Sequence, residues 1–386
     1  MIETRVPQAM NTPSWYWRLA RPDALTVWEN PEVRRRLSWY YNVMVDAKPA
    51  KFMIAKRIGS PEDPDKLDLE GLWSLHGELS REFWSVFEKI RDDKLRLDEI
   101  PVPEGKNLLH VKARIAWETL RSCTLCERRC RFNRLEGKRG VCQLDYRVYV
   151  HSWFHHLGEE APLVPSGTIF YGGCNFRCVF CQNYDISQVY PRSGVEVDAK
   201  RLALIQKELR ENGARNINHV GGEPTPNLHV ILESLIYLDV NVPQLWNSNM
   251  YLTEESMLLL RDVIDIWLPD FKYGNNKCAI RLSGAPRYWE TITRNLKMIA
   301  EWGDPVIIRH LVLPNHLDCC TKPILKWIAA NIPHALVNIM EQYRPEHLVA
   351  RYPNRWPDIA RRPDWKEMRE AYEYASSLGL VYEPVS

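Results

Sequence analysis

From about residue 166 onward, short apolar runs alternate with helical runs. SGTIFYGG is the first. NINHV (216–220) leads through GGEP into NLHVILESLIYL, VPQLWNSN (242–249) into TEESMLLLRDV, and IDIWLPD (264–270) into RYWETITRNLKMIAEW. VIIRHLVLP (306–314) precedes TKPILKWIAANI, and ALVNIM (335–340) leads finally to DWKEMREAYEYASSLGL. Such alternation dictates a parallel sheet with right-handed crossovers. Six units are too few to close an eight-stranded barrel. The expected fold is therefore α/β, an open, partial (β/α)6 TIM-like barrel spanning residues 166–386. In such barrels the chemistry sits at the C-terminal ends of the strands.

Composition narrows the function. The 386 residues carry a net charge of +2, which gives no global electrostatic case for nucleic acid or a membrane surface. The first residues, MIETRVPQAMNTPSWYWRLARPD, hold no apolar signal-peptide core, and no stretch approaches 18 consecutive apolar residues. A cytoplasmic protein is the expectation. Seven of the ten cysteines fall between 123 and 181, the others being Cys278, Cys319 and Cys320. Clustered cysteines in a long chain without a secretion signal point to metal or redox chemistry rather than to disulfides.

Cys174, Cys178 and Cys181 follow the first strand as C-x3-C-x2-C. Four thiolates close a structural site, whereas three on a cubane cluster leave one iron open to a substrate or cofactor. This loop resembles that of the radical S-adenosylmethionine (SAM) enzymes. Gly221, Gly222 and Glu223 close the second strand, as the GGE motif of that superfamily does. CTLCERRCRFNRLEGKRGVC, HLGEEAP, WNSNMY, LPDFKYG, IRHLVLPNH and NIMEQYRP extend the resemblance to homologues of pyruvate formate-lyase activating enzyme, from about residue 120 to the C-terminus.

The resemblance implies a [4Fe-4S] cluster held by Cys174, Cys178 and Cys181, with SAM on its open iron. It places Phe180 beside the adenine. Gly221, Gly222 and Glu223 would hold the methionine end of SAM, and Asn247, Ser248 and Asn249 would meet ribose or carboxylate. Asp270 and Lys272, Arg309, and Glu341 would line the catalytic rim. One electron from the cluster would break the sulfur–C5′ bond, and the 5′-deoxyadenosyl radical would abstract hydrogen from a substrate. A one-electron donor such as a flavodoxin or ferredoxin is implied as a partner.

Cys123, Cys126, Cys130 and Cys142 follow C-x2-C-x3-C-x11-C, within a small metal module and linker over residues 116–165. Their spacing closes one second site, and zinc and an auxiliary iron–sulfur cluster both fit it. Residues 121–140 hold seven Lys/Arg against two Glu. Such charge offsets a thiolate site, and a nucleic-acid patch is its alternative. Residues 1–115 read as a mostly helical extension rich in tryptophan, including Trp15, Trp17, Trp28 and Trp39. These rings are expected to anchor the extension on the barrel, with a partner-docking face as the alternative.

The reading of the whole is a radical SAM enzyme of activase-like, oxidoreductase type, whose substrate could be a protein. The alternatives are a radical SAM enzyme acting on RNA or a small molecule, and a non-catalytic, metal-stabilised binding protein.

Overall fold

The computed structural model describes residues 16–386. Trp15 lies outside the described residues. Eight strands are present: β1 (Val148–His156), β2 (Ser166–Tyr171), β3 (Val195–Val197), β4 (Asn216–Gly221), β5 (Gln244–Ser248), β6 (Ile266–Pro269), β7 (Ile307–Leu311) and β8 (Leu336–Met340). β2, β4, β5 and β6 pair in parallel, as do β7 and β8. Parallel bridges Trp267–Val306 and Asp270–Arg309 join the two groups. The six parallel strands are the six apolar runs of the sequence, in order. β1 adds an antiparallel strand outside β2, and β3 pairs antiparallel with β1.

Local chemistry sets where the crossover helices begin. Asp198, Thr253 and Asn275 sit in extended conformation and accept hydrogen bonds from the first-turn amides of the helices Ala199–Glu211, Glu254–Arg261 and Asn276–Ser283. Strand alternation then divides the side chains between two layers. Ile217, Trp246, Trp267, Ile308 and Val337 join the large core that includes the surrounding helices. Leu245, Ile266, Leu268, Ile307 and Leu336 form a second cluster with Val27, Trp28, Val33, Leu37, Tyr40 and Met44. The N-terminal segment therefore packs against the barrel's inward-facing residues.

Hydrogen-bonded charges fix this attachment. Asp265, just before β6, accepts from Trp39 Nε1 (2.9 Å), Lys51 N (3.0 Å) and Gln244 N (2.9 Å). Lys51 Nζ pairs with Asp304 at 2.6 Å, and Lys112 Nζ with Asp262 at 2.8 Å, all buried. Asp262 also accepts from Ser80 Oγ (2.8 Å) and Trp84 Nε1 (2.7 Å). Trp28 and Trp39 are buried and serve as anchors. No described helix is long and apolar enough to cross a membrane.

Asp262→Ala should strand the Lys112 ammonium in the core and cost about 3–5 kcal/mol, read from chemical denaturation. Lys112→Met combined with Asp262→Leu should recover most of that loss.

Candidate metal and cofactor site

β2 ends at Tyr171, and the cysteine loop follows through Gly172 and Gly173. Two backbones meet here. A Cβ on Gly222 would lie 2.2 Å from the Gly173 carbonyl oxygen, and one on Gly221 (φ +116°) would lie 2.2 Å from Tyr171 N. The space that glycine leaves in GGE is thus filled by β2 and the cysteine loop. The loop also rests on the segment that closes the helix Asn276–Ser283. Val179 N donates to Leu282 O (2.9 Å) and Arg177 N to Ser283 O (3.0 Å).

The three thiols suit a metal cluster by their chemistry. All are free. Cys174 Sγ accepts from Phe176 N at 3.3 Å, Cys178 Sγ accepts from Ser283 Oγ at 2.9 Å, and Cys181 Sγ lies 3.3 Å from Ser187 Oγ. Burial pushes Cys174 well above the usual thiol range, with Glu223 and Cys178 adding to it. Burial, then Cys181, raises Cys178 to about 11. Such thiols become thiolates at neutral pH only when a cation binds them. Phe180 packs edge-on against Tyr343, ring centroids 5.5 Å apart.

Glu223 is buried beside this loop. Its Oε1 accepts from Thr225 N (3.3 Å), Thr225 Oγ1 (2.5 Å) and Ser248 Oγ (2.6 Å), while Oε2 accepts from Asn249 N (3.0 Å). Burial raises its pKa, and these donors counter the rise in part. Asn249 Nδ2 reaches Asn175 Oδ1 (2.7 Å), so the third strand's end ties the carboxylate to the cysteine loop. Glu223, Ser248 and Asn249 form one network. Asn247 does not join it: its Oδ1 accepts instead from Arg309 Nη1 at 3.4 Å.

The rim residues divide. Lys272 Nζ pairs with Asp270 at 2.6 Å. Burial opposes the lysine's charge, but Asp270 outweighs it, with Cys178 and Cys174 adding when ionised, and its pKa rises. This pair lies beside the cysteine loop. Arg309 points inside the barrel and pairs with Glu159 and with Glu160, at 2.6 Å for the latter. Asn218 Nδ2 donates to Glu159 (3.0 Å), and Asn338 Nδ2 to Glu160 (2.7 Å). Glu341 is exposed and lines a hollow with Arg362, Trp365 and Tyr372. The structure does not bring Glu341 to Asp270 and Lys272. Glu159 and Glu160 received no role from sequence. Their signal was the acidic pair in HLGEEAP, which needed a buried cation from a later strand to acquire meaning.

Cys123, Cys126, Cys130 and Cys142 line one cavity, together with Arg134, Thr225 and Pro226. Glu127 N donates to Tyr251 O (3.1 Å), fastening this segment beyond the end of β5. Arg134 is buried, and among the described residues no carboxylate pairs with it. Its guanidinium donates to Asp145 O (3.0 Å) and lies 3.8 Å from Cys123 Sγ. Burial opposes its charge, but Cys142 and Cys123, once ionised, outweigh that and raise its pKa. Burial raises Cys126 and Cys142 in turn. Arg128 Nε donates to Asn175 O at 2.8 Å, so the two cysteine segments touch.

The profile of the Radical SAM superfamily matches residues 168–328, from β2 to the helix after β7. The chain belongs to the radical SAM superfamily. It is 45% identical over 355 residues to the uncharacterised protein MJ0674 of Methanocaldococcus jannaschii, covering 90% of this chain and 100% of that protein. An alignment of this length reaches well into residues 1–115, so most of that segment is shared with MJ0674. A shorter match, 31% over 101 residues, covers 25% of this chain and 33% of an S-adenosylmethionine-dependent nucleotide dehydratase of a Thermoplasmatales archaeon. Among solved structures, Streptococcus suis SuiB aligns with a TM-score of 0.40 at 16% identity, over 54% of this chain and 44% of that one.

Because the glycine at 222 lets two backbones touch, Gly222→Ala should push the cysteine loop away from β4. The expected result is a lower melting temperature and less iron bound after anaerobic reconstitution, with Gly213→Ala, whose Cβ meets nothing within 4 Å but whose φ is +104°, as a control for backbone strain alone.

Proposed function

We propose that the chain is a radical SAM enzyme that binds a [4Fe-4S] cluster through Cys174, Cys178 and Cys181 and reductively cleaves SAM. The observation that carries this reading is the set of three hydrogen-bonded thiols, Cys174 buried and Cys178 and Cys181 half-buried, just past the end of the first barrel strand and adjoining the Glu223 network. The cluster supplies the electron that breaks a carbon–sulfur bond of SAM. The chain's own residues bind, orient and shield. Glu223 Oε2 accepts a single internal hydrogen bond and keeps acceptor capacity for the SAM ammonium, while Thr225, Ser248 and Asn249 hold it in place. Lys272, paired with Asp270, sets a positive charge against the thiolates. A flavodoxin or ferredoxin fits the need for a one-electron donor. Trp28 and Trp39 are buried and offer no docking face of their own, and a protein substrate is carried by the resemblance to activating enzymes.

The test is anaerobic reconstitution with iron and sulfide, then addition of SAM and a strong reductant. The wild type should form 5′-deoxyadenosine, and Cys174→Ala, Cys178→Ala and Cys181→Ala should not. Cleavage at wild-type rate by any of the three would overturn the reading. Glu223→Ala should weaken SAM binding by about 1.5–3 kcal/mol, the range for a charge-assisted hydrogen bond, at unchanged iron content. Equilibrium binding of SAM measures it.

The upstream cysteines are proposed to hold one auxiliary iron–sulfur cluster rather than zinc. A single tetrahedral zinc ion requires its sulfurs about 3.8 Å apart, from Zn–S bonds near 2.3 Å. Among the described residues, ligand groups of three or more gather within 4.8 Å at one place only, and these cysteines are not that place. The buried guanidinium of Arg134 offsets the negative charge such a cluster carries. In a Cys174/Cys178/Cys181 triple variant, about four irons with matching sulfide should remain, and additional Cys126→Ala should remove them.

A further inference from the structure

Cys278, Cys319 and Cys320 lie outside both cysteine segments, and sequence spacing gave them no role. In the folded chain their three sulfurs and His316 Nδ1 all fall within 4.8 Å of one another. Cys319 Sγ is 3.9 Å from Cys278 Sγ and 3.8 Å from Cys320 Sγ. His316 Nδ1 is 3.7 Å from Cys278 Sγ, 3.3 Å from Cys319 Sγ and 3.7 Å from Cys320 Sγ. One nitrogen faces three sulfurs, which a single shared proton cannot satisfy. The edges of a tetrahedron around zinc, with Zn–S near 2.3 Å and Zn–N near 2.0–2.1 Å, are about 3.8 Å between sulfurs and about 3.5 Å from sulfur to nitrogen. The observed separations match those edges.

The surroundings add an independent feature of metal sites. His316 Nε2 lies 2.9 Å from Asp358 Oδ2, and Arg281 Nη1 holds the other oxygen of that carboxylate at 3.1 Å. Arg281 Nη2 also lies 3.3 Å from Nε2, but the shorter contact is to the carboxylate; a proton on Nε2 directed there leaves the Nδ1 lone pair for the sulfurs. This is the arrangement that orients a metal-bound imidazole and raises its basicity. Local structure delivers the ligands. Asn275 caps the helix carrying Cys278 (Oδ1 to Cys278 N, 2.8 Å) and also donates to Cys319 O (2.8 Å). A one-turn π-helix over Leu317–Thr321 brings Cys319 and Cys320 to the same side as His316.

We infer that Cys278, His316, Cys319 and Cys320 bind one zinc ion in a closed, tetrahedral structural site, with Asp358 orienting the histidine. The ion ties the helix Asn276–Ser283 to the turn after β7. That helix ends at Leu282 and Ser283, which carry the cysteine loop at Val179, Arg177 and Cys178. The zinc therefore braces the ground on which the cluster loop stands, without touching the reacting groups.

Metal analysis of the purified full-length protein tests this. The wild type should hold one zinc per chain, and Cys319→Ser and Cys278→Ser should each lose it. A zinc content that is zero in the wild type, or unchanged in both variants, would overturn the site. Cobalt added to chelator-treated wild-type protein should give the ligand-field and thiolate charge-transfer bands of a tetrahedral centre, and octahedral cobalt bands alone would also overturn it. Should the cysteine variants fail to fold, Asp358→Asn serves instead: it keeps all four ligands and should release zinc to a competing chelator at about 10–100-fold lower chelator concentration. Release at the wild-type concentration would refute the role of Asp358 and of the bound imidazole.

Discussion

A parallel sheet of six strands does not close, and most of what surrounds it answers that fact. An open sheet leaves unpaired amides and carbonyls along two edges and an unfilled interior between them. At the β2 edge, β1 completes the ladder in antiparallel sense, and β3 extends it. At the β8 edge, a parallel bridge joins Leu336 to Val381, and Ser386 Oγ accepts from Ile339 N at 2.9 Å. The interior receives apolar residues of the N-terminal segment beside Leu245, Ile266 and Ile307. The segment before the cysteines is thus part of the barrel's own packing, which fits its presence in an alignment covering 90% of the chain.

The interior carries polar residues as well, and they are paired in layers. Arg309 meets two carboxylates: Asn218 holds the second oxygen of Glu159, and Asn338 shares Glu160 Oε1 with the guanidinium, which also binds Oε2. Burying this many charges is costly unless each is matched. The arrangement therefore specifies the relative positions of β4, β7, β8 and the turn before β2. Glu223 follows the C-terminal end of β4, and Asp270, just after β6, is bridged to Arg309 on β7, so order in the middle of the barrel is transmitted to the site above it.

The sequence showed the six strands, the two cysteine segments and the GGE turn because each is a local pattern: apolar runs with helices between them, or ligands within twenty residues. It misplaced Glu341 for a reason of parity. Leu336, Asn338 and Met340 share one face of β8, so the residue after Met340 turns to the other side, where Glu341 meets Arg362 and Trp365. A one-residue difference at a strand end decides whether a carboxylate sees the site. The Cys278–His316 pairing was illegible because its ligands come from different strand–helix units, and only the crossover geometry brings them together.

The convergence of Cys278, Cys319, Cys320 and His316 is set by distance in the fold rather than by spacing along the sequence. Intrinsic affinities favour many metals at any thiolate-rich site, so selection falls to geometry and ligand type. Cys278, Cys319, Cys320 and His316 converge within the reach of one ion and leave no coordination position open. Cys174, Cys178 and Cys181 are spread by a loop whose sulfurs are held separately by Phe176, Ser283 and Ser187. Each of the three thus has its own hydrogen-bond partner, and under the proposed function they would hold a polynuclear cluster. Ser283 stands between the two groups, at the end of the helix that begins beside Cys278, and donates to Cys178. The same short helix therefore connects the Cys278–His316 group to the cysteine loop after β2.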